Sequence, residues 1–560
     1  MKDGGKEGAY GTGEDPDDEQ RSVQMTAYLL KNGRIYDGTG GEAFEGDILV
    51  RGERIEKVGA GLRCEDAQEV DLHGLSVSSG FFDAHSHNDW FAIKNDPLPF
   101  FEPFIRQGIT SFVTGNCGLS AVGFEEGTPY LDKIGGGLFG YRGDTTGVYP
   151  SAGALLDGVD RKTPCNIAVL AGHCSARAGV AGYERRPLTP EEEARMLAGL
   201  EKSLREGACG VSLGLMYEPG LYAPMEELKK VARLVERYDL PMTVHPRACS
   251  AVSMAYPLLG RPHLLRALDE LAQISRGTHL KLQYSHAIFV GRRSFRCKDA
   301  FLQIMQDLRR EGVDARFDLY SELLGVSVIT VVMPGWYQAL SPEEKRRPVN
   351  KLRFALLAQA SIALLGFDWR DITIAYVGKG NERYEGKNVR QIAREMGKSC
   401  VDAYLELCEM SGCQGRVNMG PYSTPEIVSE LSRDPYCLYM TDAWVEPDGV
   451  QNPAIYDCFP KFLKYALNGT GDGMPATLRK MTGAVADRFS IPDRGYVRAG
   501  CFADLTVFNE EALRTGREDE GHAFGIEKVF INGTPVLDGE KLNREALRTS
   551  GRAMRAAGRG

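Results

Sequence analysis

Two patterns of apolar and polar positions divide the chain. Near its start, short apolar runs such as Tyr28-Leu29-Leu30, Ile48-Leu49-Val50 and Arg54-Ile55-Glu56-Lys57-Val58 are punctuated by Gly-containing turns, the pattern of short β-strands. Asp504-Leu505-Thr506-Val507-Phe508 and the run from Glu527 to Leu537 repeat it near the other end. Both ends are therefore predicted to complete one small β-sandwich domain, over residues 25–78 and 491–540. Between them, short apolar segments alternate with helical patterns, as in a parallel sheet with crossover helices. Candidate strands fall at 75–82, 109–115, 166–172, 209–215, 241–245, 280–285, 313–318 and 437–441. Eight such units predict an α/β fold, a (β/α)8 TIM-like barrel over 79–490 with its active site at the carboxyl ends of the strands. The stretch 322–430 is too long for an ordinary connection and predicts an insertion beside that mouth, part of a pocket or a lid.

Polar residues then take on meaning from where they fall. His85 and His87 follow the first candidate strand, Cys117 the second, His245 ends the fifth, His286 follows the sixth and Asp442 the eighth. Of only nine histidines, four land at this one mouth, which random placement would rarely produce. Imidazoles and a thiolate converging there suit a divalent metal, and sulfur favours zinc over magnesium or calcium. Zinc with an open position lowers the pKa of water to about 7. In Thr114-Gly115-Asn116-Cys117-Gly118 the glycines let the backbone approach a metal closely. Asp442, in Met440-Thr441-Asp442-Ala443, is placed to take a proton from water and return it to a leaving amine as general acid/base. Blander readings stay open for each: loop histidines, a buried hydrophobe for Cys117, a helix N-cap for Asp442.

Composition narrows the class. The 560 residues are 43% hydrophobic and 26% charged, enough for a large core. A net charge of −9 argues against a nucleic-acid partner. Thirteen scattered cysteines read as reduced thiols, no apolar run is long enough to span a membrane, and no apolar signal core opens the chain, so a cytoplasmic protein with a small-molecule partner is expected. Residues 1–24, rich in glycine and acids, read as a disordered acidic tail, with Met25 a plausible start of the folded chain. Residues 541–560, with Arg544, Arg548, Arg552, Arg555 and Arg559, read as a solvated basic tail.

From Met25 to about Glu540 the chain resembles the amidohydrolase superfamily, specifically its D-aminoacylase (N-acyl-D-amino-acid deacylase) branch. The resemblance rests on Gly80-Phe81-Phe82-Asp83-Ala84-His85-Ser86-His87, Gly115-Asn116-Cys117-Gly118, Gly172-His173, the run Ser212 to Gly220, Val244-His245, Tyr284-Ser285-His286 and Lys480-Met481-Thr482-Gly483. It implies one tightly held zinc on Cys117, His245 and His286, a second, weaker position on His85 and His87, Asp442 as the catalytic acid/base, and Tyr217 and Tyr320 as substrate contacts. His173 matches a recurring position for which a structural role is at least as good a reading.

The departures concern substrate. The lysine usual after the sixth-strand histidine is absent from His286-Ala287-Ile288-Phe289, and Asn452-Pro453-Ala454 stands where His-Pro-Arg would carry a carboxylate clamp. Arg247 remains as a substrate-binding candidate, without the acidic residue that normally follows it. Arg292, Arg293 and Arg296 are the nearby substitutes. The expected activity is zinc-dependent hydrolysis of a non-peptide amide bond, with either an N-acyl-D-amino acid or an uncharged amide as substrate. A cyclic amidase of hydantoinase or dihydroorotase type is the enzymatic alternative, although no lysine stands at the fourth strand end. A non-catalytic assembly protein would have been expected to lose these ligands first.

Overall fold

Gly80 turns the chain from one sheet into another. A Cβ there would lie 2.4 Å from the Thr110 side chain, so only glycine lets the backbone pass. The apolar run 75–82, read above as one strand, is thereby split: Ser76–Ser79 pairs in a nine-stranded sheet, Phe81–Asp83 in a parallel one. The structure is a computed structural model that describes residues 26–131, 133–134, 139, 144–253, 255–257, 259–516 and 523–558. The predicted acidic tail and Met25 lie outside the described residues.

The nine-stranded sheet takes Ala27–Tyr36, Phe44–Arg51, Arg54–Gly59, Gln68–Asp71 and Ser76–Ser79 from the first part of the chain. Leu505–Phe508, Ile526–Ile531, Thr534–Asp538 and Lys541–Leu542 come from the last part. The two parts meet where Ser76–Ser79 runs antiparallel to Leu505–Phe508. Alternating Leu30, Ile48, Val50, Val77, Leu505 and Val507 bury their side chains together.

We number the parallel strands β1 (Phe81–Asp83), β2 (Ile109–Thr114), β3 (Asn166–Val169, continued by Ala171–Gly172), β4 (Val211–Gly214), β5 (Pro241–His245), β6 (Lys281–Tyr284), β7 (Asp314–Leu319) and β8 (Cys437–Tyr439). Pairing runs β1-β2-β3 in one sheet and β3-β4-β5-β6-β7-β8 in another, the break falling at Leu170, whose N–H still donates to Thr114 O on β2. At the outer edges Ala84 N donates to Tyr439 O at 3.2 Å, and the Asp83 carboxylate accepts from Thr441 N (3.1 Å) and Thr441 Oγ1 (2.5 Å). Residues buried on both faces explain the near-continuous apolar runs of these strands. Helices lie between them. Pro190–Arg205 opens on a Thr189/Glu192 capping box and buries Met196, Leu200 and Leu204, one stripe at helical spacing.

Between β7 and β8 a separate unit is inserted. Its antiparallel strands Gly325–Val328, Arg416–Met419 and Ile372–Tyr376 pair in that order, and with helices Pro348–Leu365, Val389–Met396 and Cys400–Met410 they bury a second apolar cluster around Ile329, Phe354, Ile374, Tyr404 and Val417.

The arginine-rich C-terminal segment, expected to stay solvated, is instead docked. Leu547 and Met554 are buried, Gly551 N donates to Thr163 O and Met554 N to Ile167 O. Arg552 pairs with Glu53 (2.5 Å), Arg555 with Asp157 (2.5 Å) and Arg544 with Glu102 (2.7 Å). Two apolar anchors among the arginines and facing carboxylates on the body supply what composition alone conceals. Among the described residues, no helix is long and apolar enough to cross a membrane.

Candidate metal centre

Because β1–β8 all run the same way, their carboxyl ends present side chains to one place. Around Cys117 Sγ stand His85 Nε2 at 3.4 Å, His245 Nδ1 at 3.6 Å and His286 Nε2 at 3.9 Å. His286 Nε2 and His245 Nδ1 are 2.6 Å apart. Asp442 Oδ1 lies 3.5 Å from the Nε2 atoms of both His85 and His87. Two sets of donors thus converge, His85 with Cys117 and His286, and His85 with His87 and Asp442. His85 stands in both, rather than with His87 alone as the resemblance implied.

Local backbone geometry aims these groups. Cys117 (φ 54°), His286 (φ 38°) and Asp442 (φ 47°) all sit in the left-handed region, which costs free energy for non-glycine residues and is tolerated where the surroundings over-determine it. Those surroundings are visible. Asp89 accepts from Gly115 N (3.2 Å) and Ala121 N (2.8 Å), pinning both ends of the Cys117 loop. A Cβ at Gly214 would fall 1.9 Å from Cys117 O, so β4 passes the loop only as glycine. Asp318 on β7 accepts from His286 N (2.6 Å) and Gln283 Nε2 (3.0 Å), and its Oδ1 is 3.3 Å from His85 Nδ1. Such a carboxylate fixes the ring and tautomer of a ligating histidine.

Electrostatics follows from the crowding. Burial alone would raise the Cys117 pKa, but His85, His245 and His286 hold it well below the ordinary thiol value. Burial likewise opposes ionisation of Asp442, and His85 and His87 outweigh it, keeping the carboxyl below the usual carboxylate range. Burial disfavours a charged His87, yet Asp442 and Cys117 raise it to about 9. Burial itself pushes Asp89 up to about 6. A thiolate and three imidazoles packed in a dry site cannot satisfy one another, since the 2.6 Å nitrogen pair accommodates a single proton. The donor set fits a divalent ion that accepts sulfur and imidazole, which is the zinc pattern.

His87, Cys117, His245, His286 and Asp442 border a cavity of about 520 Å³. Tyr217 and Tyr320 line it as expected, and Tyr217 Oη is 3.4 Å from His245 Nδ1. Burial, reinforced by Cys117 for Tyr217 and by Asp442 for Tyr320, raises both phenols well above their ordinary value, so both remain O–H donors. Arg247 is a correction: its Nε is 3.0 Å from Glu270 and its Nη1 2.8 Å from Leu221 O, and it is not among the lining residues. Beyond His245 the chain leaves the strand, so alternation no longer predicts its direction. Arg292 is clamped on Asp371 (2.6 and 2.9 Å), also off the cavity. His173 bonds Glu227 at 2.8 Å and plays no part in the lining. Asp318, Asp89, Tyr422 and Trp444 were not singled out in the sequence; an acid inside an apolar strand, Phe317-Asp318-Leu319, was the available signal for the first.

No family model matches the chain. It is 28% identical to a D-aminoacylase of Alcaligenes xylosoxydans xylosoxydans over 548 residues, covering 95% of this chain and 99% of that one. It is 26% identical to an N-acyl-D-glutamate deacylase of the same organism, covering 91% and 93%. Among solved structures, an N-acyl-D-glutamate deacylase from Bordetella bronchiseptica complexed with zinc and a phosphonate inhibitor superposes with a TM-score of 0.74 at 23% identity, over 95% of this chain and 100% of that one. A D-aminoacylase described as defining a novel subset of amidohydrolases gives 0.73 at 24%, over 94% and 99%. With fold and length in agreement, the chain is a homologue of proteins named D-aminoacylase, N-acyl-D-aspartate deacylase and N-acyl-D-glutamate deacylase.

Proposed function

We propose that the chain is a zinc-dependent hydrolase of non-peptide amide bonds in small molecules, acting as an N-acyl-D-amino-acid deacylase. The observation that carries this reading is one cluster joining a thiol, four imidazoles and the Asp442 carboxylate at the border of a cavity. Its architecture is a (β/α)8 barrel over 79–490 with a β-sandwich from 25–78 and 491–540; the β1–β8 pairing, closed by the Ala84–Tyr439 hydrogen bond, supports it. Cys117, His245 and His286, with His85 adjoining, would hold the tight metal position, and His85, His87 and Asp442 a second, weaker one. Thirteen free thiols accord with a reducing compartment, and we place the protein in the cytoplasm.

The chemistry divides among the residues present. A zinc ion at this centre, when bound, supplies a water acidified to a pKa of about 7. Asp442 Oδ1, held ionised and oriented by His85 O accepting from Asp442 N (3.1 Å), takes the proton of the attacking water and delivers it to the departing amide nitrogen. Tyr217 and Tyr320 offer hydroxyl donors to the substrate's oxygen atoms. Asp318 keeps His85 and the His286 backbone in register. Leu119, Val326, Met419 and Trp444 make much of the cavity wall apolar. At the β4 end stand Gly214 and Leu215, with no lysine to be carbamylated, which favours this reading over a cyclic amidase.

The experiment is amine release from a panel of N-acyl-D-amino acids, their L-isomers, uncharged anilides and cyclic amides, with the Asp442→Ala variant beside the wild type. Turnover of D-substrates is expected, falling by about 10²–10⁴ in Asp442→Ala while the metal is retained. Turnover of anilides alone would assign an uncharged amide as substrate, and an active Asp442→Ala protein would end the proposed proton path.

A further inference from the structure

The insertion between β7 and β8 gives the cavity one of its walls. Its strands Gly325–Val328 and Arg416–Met419 pair antiparallel, with Gly325 opposite Met419, and bring Val326, Val328 and Met419 to the cavity border. Val331 follows them, and Ile288 and Val290 join from the loop after β6. These apolar side chains are graded in exposure. Met419 is 7% exposed, Ile288, Val290 and Val326 are partly buried, and Val328 and Val331 stand at the rim, 37% and 42% exposed. Among the described residues the insertion adds no charged group to this border, only Ser327 and the phenol of Tyr422 as polar side chains. Exposed valines that continue a buried apolar lining are surface from which a bound apolar group would displace water.

Charge enters the border elsewhere. Lys133, the one lysine or arginine there among the described residues, comes from the β2–β3 connection. Its Nζ lies 3.7 Å from Glu218, past β4, and 3.6 Å from the Tyr183 ring centroid. An N-acyl-D-amino acid has two unlike halves. Its amine half carries a carboxylate, which against the insertion's wall would lose water without gaining a hydrogen bond or a counter-charge. Its acyl half carries only methylenes, which gain by the same burial. The cavity, about 520 Å³, falls in the range that takes drug-sized ligands and leaves room beyond an acetyl group.

Resting on the deacylase reading above, we infer that this enzyme prefers substrates with a medium-length apolar acyl chain, such as octanoyl, over acetyl. The chain lies along Met419, Val326, Val328 and Val331, from the metal centre out to the rim. Val328 and Val331 are then specificity-determining residues that act on the substrate's tail and not on the bond that breaks.

The test is kcat/KM of the zinc-loaded full chain for N-acetyl-, N-butyryl- and N-octanoyl-D-alanine, with N-acetyl-D-leucine and N-acetyl-D-phenylalanine lengthening the amine half instead. The octanoyl-to-acetyl ratio is expected to reach about tenfold or more, since two methylenes fully removed from water suffice for that. Val328→Asp/Val331→Asp should lower the ratio by about fivefold or more, chiefly through KM, with metal content kept; Val328→Ile/Val331→Ile should preserve it. Equal turnover of the acetyl and octanoyl substrates overturns the inference and leaves the deacylase reading standing, as does a ratio that Val328→Asp/Val331→Asp leaves unaltered in a folded, metal-loaded protein. A gain along the leucine and phenylalanine arm alone overturns it by placing the amine half on this wall. Failure to turn over any of these acyl-D-amino acids overturns the deacylase reading itself, and the inference with it.

Discussion

At the carboxyl ends of β1–β8 polar groups are buried together around Cys117; in the insertion between β7 and β8 a row of leucines faces solvent. In the first region Asp83 ties β1 to Thr441 past β8, Asp89 pins the Cys117 loop and Asp318 joins His85 to His286. Backbone strain at Cys117, His286 and Asp442 is held there by those contacts. In the second region the core is a smaller cluster of its own, and its outer helix buries only one side. The contrast teaches a division of labour. A parallel sheet flanked by helices gathers the polar groups at one place and braces them with buried hydrogen bonds, while an appended unit with a separate core shapes the cavity wall.

Breaking each region should have separable effects. The largest is expected at Cys117: Cys117→Ala removes the thiolate around which the imidazoles gather, so metal content by mass spectrometry and amide turnover should both fall to background with the fold intact by circular dichroism. Next is the insertion's centre. Phe354 is fully buried, with its ring centroid 4.7 Å from that of Tyr337, and Phe354→Ala should cost about 3–5 kcal/mol locally. Hydrogen exchange should then rise across 325–419 while metal content is unchanged, and a loss of metal would show that the two regions are not independent. A smaller effect is expected for Asp318→Asn, which keeps the shape but removes the charge that orients His85. Zinc affinity or turnover should drop roughly 10–100-fold, read by metal titration.

How much of this was legible in the chain depended on whether chemistry coincided with period. His85, His87, Cys117, His245 and His286 were readable because each ends or follows an apolar run, so strand direction alone brought them to one place. Asp318 and Asp89 were not, since a buried second-layer carboxylate has no spacing of its own and resembles a cap or a solvated face. Arg247 was carried over from the resemblance alone, and a motif match does not say which way a side chain points once the strand has ended at His245; here it turns toward Glu270. The run 75–82 hid a sheet-to-sheet crossing because one glycine suffices to make it. The docked C-terminal segment was hidden by its arginines, whose partners lie hundreds of residues away, Arg552 on Glu53 among them.

The central claim is that turnover depends on a metal held by this cluster. It is tested most directly by stripping the protein with a chelator, measuring residual metal by mass spectrometry, and following amine release from an N-acyl-D-amino acid as zinc is returned. The account predicts loss of activity on stripping and recovery that saturates near about one zinc per chain. Full turnover by demonstrably metal-free protein would contradict it.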